Sequence, residues 1–283
     1  MKINQLPAKT WNWLGMNEAE VDIGFDPSRN FKETSVTVPD GEKKTVIREI
    51  RDDEVRDMKN GPELILKTNC RVGKGSELTL IQVQIAKKEP LLYNGIETSV
   101  EENGTFRLIQ LILGGGRNYY ETRVELKGKG SSFEADLAYL LDGERKLDMN
   151  YVADHTGTQS QSRISAGGVL KGRSEKLFRG TIDFHRGCAG ASGSEIEDVL
   201  LLDDTVRNQT IPLILCDEED VEGSHGATIG KPSSELIFYM RSRGIPEEEI
   251  FRMIARAKLD AVANLIPEEE TRERISEYLN GVV

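Results

Sequence analysis

The chain lacks several features that mark common classes of protein. Its 283 residues include only three cysteines, Cys70, Cys188 and Cys216, which are too few and too far apart for a disulfide framework. No apolar run approaches the roughly 18 residues that cross a bilayer. The N-terminus also lacks the apolar core of a signal peptide. We therefore expect a soluble cytoplasmic protein with free thiols and no membrane partner.

Positive charge is also scarce. The chain has 37 Lys and Arg residues against 48 Asp and Glu residues, which gives a net charge of −11. Nucleic-acid binding needs clustered basic residues, so nucleic acid is excluded as the main partner. Residues 195–222 hold ten acids and one basic residue, Arg207. This segment predicts an acidic surface that would attract cations or a basic protein.

Familiar catalytic motifs are missing as well. Residues 226–231 resemble a phosphate-binding loop, but their glycine spacing is one residue short. Pro232 also stands where the loop needs a hydroxyl for Mg²⁺. The chain has no G-x-S-x-G elbow and no H-E-x-x-H pair. We therefore expect a protein that is not an enzyme and binds no nucleotide.

Two histidines in the middle of the chain receive structural interpretations. His185 and Cys188 have the spacing of metal ligands, but no second pair accompanies them, so a turn is predicted. His155 follows Asp154, and we predict a loop histidine that hydrogen-bonds to this carboxylate.

The central part of the chain is predicted to be β-structure. Between about residues 62 and 230, short β-prone runs repeat, and residues 78–85 alternate most clearly between apolar and polar. No helical period separates these runs, which argues against βαβ units. Their spacing suits a sandwich or a stacked solenoid. Few aromatic residues and 27 glycines favour the solenoid, since each coil must turn tightly.

The first 60 residues form a mixed segment. Trp11 and Trp13 are predicted to pin it to the core. Residues 39–41 are predicted to form a hairpin turn between two short strands.

Residues 232–283 are predicted to form a helical domain, which follows a mixed segment at 1–60 and a β-scaffold at 61–231. Ser233 or Ser234 caps a helix that ends at Gly244. Two copies of the sequence IPEEE begin the next helices, since carboxylates favour a helix N-terminus. The second helix carries an apolar stripe, formed by Ile250, Met253, Ile254, Ala257, Ala261, Val262 and Leu265.

Cys216, Glu222 and His225 are the best candidates for metal ligands. A thiolate, a carboxylate and an imidazole within ten residues are the ligand types that hold iron or zinc. The alternative is that Cys216 is a buried apolar residue that closes a strand over residues 211–216.

The stretch around His225 resembles the SufB/SufD family of iron–sulfur cluster assembly proteins. The resemblance is carried by residues 221–230, VEGSHGATIG, and 236–245, LIFYMRSRGI. Residues 154–157, 178–180 and 200–203 also resemble family segments. The resemblance implies a right-handed parallel β-helix core with a C-terminal α-helical domain. It further implies a scaffold that pairs with a second β-helix, as a homodimer or a heterodimer, and docks a SufC-type ATPase on its helical domain.

The functional residues of the family match only in part. His225 matches the family histidine, whereas Gly223, Val206 and Gly226 stand where relatives carry cysteine or glutamate. We therefore hypothesise that Cys216, with Glu222 and His225, holds a transient iron–sulfur cluster. The expected docking residues for the ATPase are Phe238, Tyr239, Arg243 and Gly244.

Two other classes of protein remain open. A β-solenoid carbohydrate-active enzyme would need carboxylates converging on a groove and exposed aromatic residues, but the chain is only 6% aromatic. A structural adaptor without any metal is the other alternative.

Overall fold

The molecule is built mainly from β-strands, and the computed structural model describes residues 1–9, 12–23, 29–58 and 61–282. The strands are β1 (Lys2–Ile3), β2 (Ala19–Glu20), β3 (Phe31–Val38), β4 (Lys43–Ile50), β5 (Arg56–Met58), β6 (Gly61–Val72), β7 (Glu77–Gln84), β8 (Leu91–Val100), β9 (Thr105–Ile112), β10 (Arg117–Leu126), β11 (Ser132–Leu141), β12 (Lys146–His155), β13 (Gln161–Leu170), β14 (Glu175–Phe184), β15 (Ala191–Leu201), β16 (Arg207–Cys216) and β17 (Val221–Gly230). The α-helices are α1 (Ser234–Ser242), α2 (Glu247–Ala263) and α3 (Glu269–Asn280).

Consecutive strands of the core alternate between two parallel sheets. The first sheet has the order β16-β14-β12-β10-β8-β6-β3, and the second has the order β17-β15-β13-β11-β9-β7-β4. Neighbours along both paths are parallel. Each coil of the chain therefore adds one strand to each sheet, which is a parallel β-solenoid. The predicted solenoid, rather than a sandwich, is confirmed.

Alternating side chains fill the space between the two sheets. In β11, Phe133 and Leu137 are fully buried between the sheets, whereas Glu134 faces outward. Because the coils are in register, each inward residue packs on its counterpart one coil away. The rings of Phe106 and Phe133, for example, stack with their centroids 5.7 Å apart. The core is thus a set of columns that run along the solenoid.

The predicted hairpin at residues 39–41 is wrong. The turn itself is present, but β3 lies in the first sheet and β4 in the second, and each pairs with a strand of the next coil. The reason is that a flattened coil turns between sheets, so consecutive strands face each other across the core and do not share hydrogen bonds.

The described part of the N-terminal segment packs on the outer face of the first sheet, and the predicted contact through Trp13 is wrong. Trp13 is 87% exposed, and Trp11 lies outside the described residues. Ile3, Val21 and Ile23 make the contact instead, against apolar side chains of β6 and β8. These smaller residues fit a flat sheet face that is already occupied by the side chains of its own strands.

Two of the C-terminal helices, α2 and α3, pack on the outer face of the second sheet. The side chain of Ser233 accepts a hydrogen bond from the Leu236 backbone nitrogen at 3.1 Å, so the predicted cap of α1 is confirmed. Gly244 follows the helix with a φ of +86°, as predicted for its stop. α2 lies across β9, β11 and β13. Within the described residues, no helix has the length and apolar character needed to cross a membrane.

The buried face of α2 differs from the predicted stripe. Ala255, Leu259 and Ala263 are buried together with Ile250, whereas Met253 is 45% exposed. Large side chains from the sheet, such as those in β9 and β11, fill this interface. The helix therefore presents mostly small residues to it, which an apolarity pattern alone does not select.

A cluster of hydrogen bonds ties α3 to the solenoid. Glu49 in β4 accepts hydrogen bonds from Arg274 Nε at 3.0 Å and from Thr271 Oγ1 at 2.9 Å. Burial favours a higher pKa for Glu49, but the hydrogen bonds from Arg274, Arg51 and Thr271 hold its pKa below the ordinary value. The ionised carboxylate therefore fastens the last helix to an early coil.

Gly168→Ala tests the column packing. A Cβ at Gly168 would lie 1.9 Å from Cε2 of the buried Tyr139 ring in the adjacent coil. We expect this substitution to lower the free energy of unfolding by about 1–3 kcal/mol through overpacking. Gly167→Ala is the matched control, because its Cβ would make only ordinary contacts, with Lys258 Cγ at 3.6 Å and the Leu137 carbonyl oxygen at 3.9 Å. Urea unfolding measures both, and equal stability of the two variants would contradict the column description.

Candidate functional site

The last coil of the solenoid ends without a covering strand. β16 and β17 are the terminal strands of the two sheets, and no described strand pairs with their outer edges. Nearly all of β17 is exposed. An unpaired edge presents free backbone N–H and C=O groups, which are a template for pairing with another strand. We call β16, β17 and the inward side chains next to them the open end.

Strand register places the three predicted cluster ligands on two faces of the open end. His225 stands beside the buried Glu195 in the register, so it follows an inward row. Cys216 likewise ends the inward row of β16. Glu222 stands beside Ser192, which follows the outward row. Cys216 and His225 thus line the end of the interior, whereas Glu222 lies on the outer face.

The structure does not gather these three side chains into one compact group. Among the described residues, the metal-ligand group whose atoms lie within 4.8 Å of one another does not include Cys216, Glu222 or His225. The Cys216 thiol donates to the carbonyl oxygen of Glu218 at 3.0 Å. All three are exposed in this chain, so they are accessible to a partner. Their assignment as ligands stays a prediction.

A buried ionic group lies inside the solenoid directly behind the open end. Lys176 Nζ donates to Glu197 Oε1 at 2.6 Å and to Thr210 Oγ1 at 3.1 Å. Thr210 donates to Glu197 Oε2 at 2.6 Å, and the Tyr139 hydroxyl donates to Glu197 Oε1 at 2.8 Å. Both charged side chains are fully buried. Burial lowers the pKa of Lys176 even though Glu197 opposes this shift.

The predicted acidic surface over residues 195–222 is therefore partly wrong. Glu195 and Glu197 are buried at 2% and 0% exposure and point into the core. In the coil before them, the same columns hold Ile164 and Ala166. The residues around 195–198 reveal little of this burial, because the partners of Glu197 come from other strands. The only local sign is the alternation of the two glutamates with Ile196 and Asp198.

Glu195 is the interior carboxyl nearest to His225 in the register. Its carboxyl group packs on Gly180, where a Cβ would come within 2.2 Å of Glu195 Cδ. Its Oε2 atom has no hydrogen-bond partner within the described part of the chain. Burial, reinforced by the charge of Glu197, raises the pKa of Glu195 to about 8, although Lys176 opposes the shift. Glu195 is therefore a neutral acid below that pH, and it lies beside His225 in the strand register.

His155 is a core residue and not the predicted loop histidine. Its Nδ1 and Nε2 atoms lie 2.8 Å from the hydroxyls of Ser160 and Ser162. Burial lowers the pKa of His155 to about 4, and the charge of His185 adds to this effect. Asp154 points outward and pairs instead with Arg123. His155 is thus neutral and structural.

The helix α1 presents an exposed aromatic surface. Phe238 is 76% exposed and Tyr239 is 55% exposed, and α1 contains no buried residue. The Arg243 guanidinium lies 5.1 Å from the centre of the Tyr239 ring, in a cation–π contact. Only residues 231–233 separate this helix from β17. We call Phe238, Tyr239, Arg243 and Gly244 the α1 surface.

Several known proteins are similar to this chain. The family model for the SUF system FeS cluster assembly SufBD core domain matches residues 23–258. Iron–sulfur cluster assembly protein SufD of Bacillus subtilis is 28% identical over 191 residues, which cover 65% of this chain and 44% of that protein. An iron–sulfur cluster assembly SufBD family protein of Mycobacterium leprae is 32% identical over 119 residues, which cover 42% of this chain and 14% of that protein. The chain spans less than half the length of either relative.

The raised pKa of Glu195 predicts a pH-dependent stability. Between its ordinary value of 4.5 and about 8, the folded chain holds a proton that the unfolded chain lacks. This contribution is fully present below 4.5 and is lost as the pH rises through about 8. Glu195→Gln removes the titrating group. As the pH is raised from 5 to 8, the urea midpoint of this variant should therefore rise relative to that of the parent. A constant difference between the two midpoints over this window would contradict the assignment.

Proposed function

This chain belongs to the SufBD family of iron–sulfur cluster assembly proteins, and we propose that it is a scaffold subunit of a Suf-type assembly complex. Its task is to hold a cluster during assembly, while ATP hydrolysis takes place in a partner. We place it in the cytoplasm, where a reducing environment keeps Cys70, Cys188 and Cys216 as free thiols. The observation that carries the proposal is the open end, where a thiol and an imidazole line the unpaired end of the solenoid.

We propose that the open end pairs with a second SufB/SufD-type β-helix, either another copy or a paralogue. β16 and β17 expose their edges side by side, and such edges bind other strands through backbone hydrogen bonds. Pairing would enclose Cys216 and His225 between two solenoids. A closed, water-poor space would then form around groups that are exposed in the single chain.

The nascent cluster is the cargo of this site. Cys216, Glu222 and His225 supply the thiolate, carboxylate and imidazole types that bind iron. Cys216 and His225 are the better supported candidates for cluster ligands, because both follow inward rows of the open end. Glu222 follows the outward row, whereas Glu195 lies on the same face as His225. Glu195 is therefore the better-placed carboxyl group.

The α1 surface is the proposed docking site for a SufC-type ATPase. Exposed aromatic side chains flanked by arginine are typical of interface anchors. α2 and α3 are occupied by the second sheet, which leaves α1 as the helix with a free apolar face. A nucleotide-driven movement of the ATPase would reach the open end through the adjoining strand.

Cys216→Ala is expected to prevent formation of an iron–sulfur chromophore during anaerobic reconstitution with iron and sulfide. The control is Cys70→Ala, because burial raises the pKa of the Cys70 thiol to about 11 and the side chain lies inside the core. Visible absorbance and iron content measure both variants. A Cys216→Ala protein with the same chromophore as the parent would remove Cys216 from the ligand set. A parent that takes up no iron would favour the metal-free adaptor.

Phe238→Ala is expected to weaken binding of a SufC-type ATPase by roughly 30-fold, which corresponds to the loss of about 2 kcal/mol from a hot-spot residue. Trp13→Ala is the control, since Trp13 is also a highly exposed aromatic residue but lies on the N-terminal segment. Calorimetry and co-elution report the affinity. Deletion of residues 233–283 is a poorer test, because it would uncover the second sheet. Unchanged binding by Phe238→Ala would exclude the α1 surface.

A further inference from the structure

Three carboxylates stack on the outer face of the first sheet, in a row that ends one strand before β16. Glu125, Asp154 and Asp183 occupy equivalent positions on β10, β12 and β14. Adjacent strands lie about 4.8 Å apart, and like charges at such positions destabilise a sheet. Glu125 and Asp154 line a surface groove of about 890 Å³, which also contains His185. Such a row of carboxylates requires compensating positive charge.

The compensation is complete for two of the carboxylates but not for the third. Glu125 lies 3.0 Å from Lys127 Nζ. Asp154 accepts hydrogen bonds from Arg123 Nε at 2.6 Å and Nη2 at 3.0 Å. The Asp183 side chain is only 13% exposed, yet none of the described residues donates a hydrogen bond to its carboxylate. Partial burial and the charges of Asp154 and Asp217 disfavour the ionised Asp183 carboxylate, whereas the charges of His185 and Arg123 favour it, so a bound cation would stabilise it.

His185 completes the group. Its Nε2 atom lies 3.6 Å from Asp154 Oδ1 and 3.6 Å from Asp183 Oδ2, and the three atoms all lie within 4.8 Å of one another. A separation of 3.6 Å is too long for a hydrogen bond. It is close to the roughly 3.4 Å that separates two tetrahedral ligands, each about 2.1 Å from a zinc ion. The distances from His185 Nε2 to the two carboxylates therefore suit a shared metal ion better than direct hydrogen bonds.

The backbone holds this arrangement in place before any ion binds. The His185 amide donates to the His155 carbonyl at 3.0 Å, which continues the ladder between β12 and β14. The Cys188 amide then donates to the His185 carbonyl at 3.2 Å, so the predicted turn at this pair is confirmed. The Cys188 side chain is buried among apolar residues and takes no part in the group. Arg123 orients the Asp154 carboxylate, as hydrogen-bonded neighbours of metal ligands do.

We propose that Asp154, Asp183 and His185 form a binding site for a divalent first-row transition ion such as Zn²⁺. Two carboxylates and one imidazole suit such ions better than Ca²⁺ or Mg²⁺, which prefer oxygen ligands alone. His185 is 43% exposed, so a fourth position faces solvent and is open to water or to a ligand from a partner. The site adjoins β16 on the outer face, shares no residue with the proposed cluster ligands and does not depend on the proposed cluster role.

The test uses Zn²⁺ and Co²⁺ alone with the metal-stripped full chain. Calorimetry should show one Zn²⁺ site, and Co²⁺ should give the visible bands of a four-coordinate ion. Asp183→Asn and His185→Ala should weaken binding by about tenfold or more, since each removes a ligand. Glu125→Gln is the matched control, because it removes a carboxylate from the same row but not from the group. His225→Ala controls for binding at the open end.

Nuclear magnetic resonance of the imidazole rings identifies the ligand directly, because the chain has only three histidines. Zn²⁺ should shift the ring signals of His185 and leave those of His155 and His225 in place. Asp183→Asn removes a carboxylate that accepts no hydrogen bond from the described residues, so this variant should remain folded, and its melting temperature should no longer rise with Zn²⁺. The proposal is overturned if the parent binds neither ion, if His185→Ala binds as the parent does, or if His225→Ala alone abolishes binding.

Discussion

The in-register stacking of coils is the constraint on which the rest of this structure depends. Every inward residue rests on its counterpart one coil away, so a polar group in a column must find partners among neighbouring coils. The column that contains Ile164 continues as Glu195 and then as His225. In this column an apolar residue is followed by ionisable ones in the last two coils, and His225 at the end is accessible to water or to a partner protein. The stacked coils make the solenoid rigid along its length, and its last coil presents the exposed side chains of Cys216 and His225.

This constraint explains which features could be read from the sequence. Helix caps and strand alternation depend on near neighbours, so Ser233, Gly244 and the β-rich core were predictable. Glu197 is different, because its partners Lys176 and Thr210 are 21 and 13 residues away. The repeat itself was hidden for a similar reason. Paired strands lie 29 residues apart between β10 and β12 but 31 apart between β13 and β15, and the residues in each column differ.

Family membership and ligand identity are separate questions in this chain. The SufBD match spans residues 23–258 and includes the stretch around His225. Two positions near the open end have structural roles here: Val206 packs on the core, and Gly223 lies close to Phe184 and Ile214. The exposed thiol of this chain, Cys216, lies at the end of β16. The family match therefore does not identify the cluster ligands, which have to be inferred from the groups that line the open end of this chain.

The three-residue connection between β17 and α1 has a mechanical consequence. A trans peptide chain spans at most about 3.6 Å per residue, so residues 231–233 can extend by only about 11 Å in total. β17 is held along one edge alone, whereas α2 and α3 are fastened to the body of the solenoid. The connection is therefore too short to absorb a displacement of α1. Such a displacement acts directly on β17, which is paired along only one edge. A force applied to the helix by a bound partner would thus be transmitted through this connection to β17. It would separate β17 from β15 or shift its position along the sheet edge.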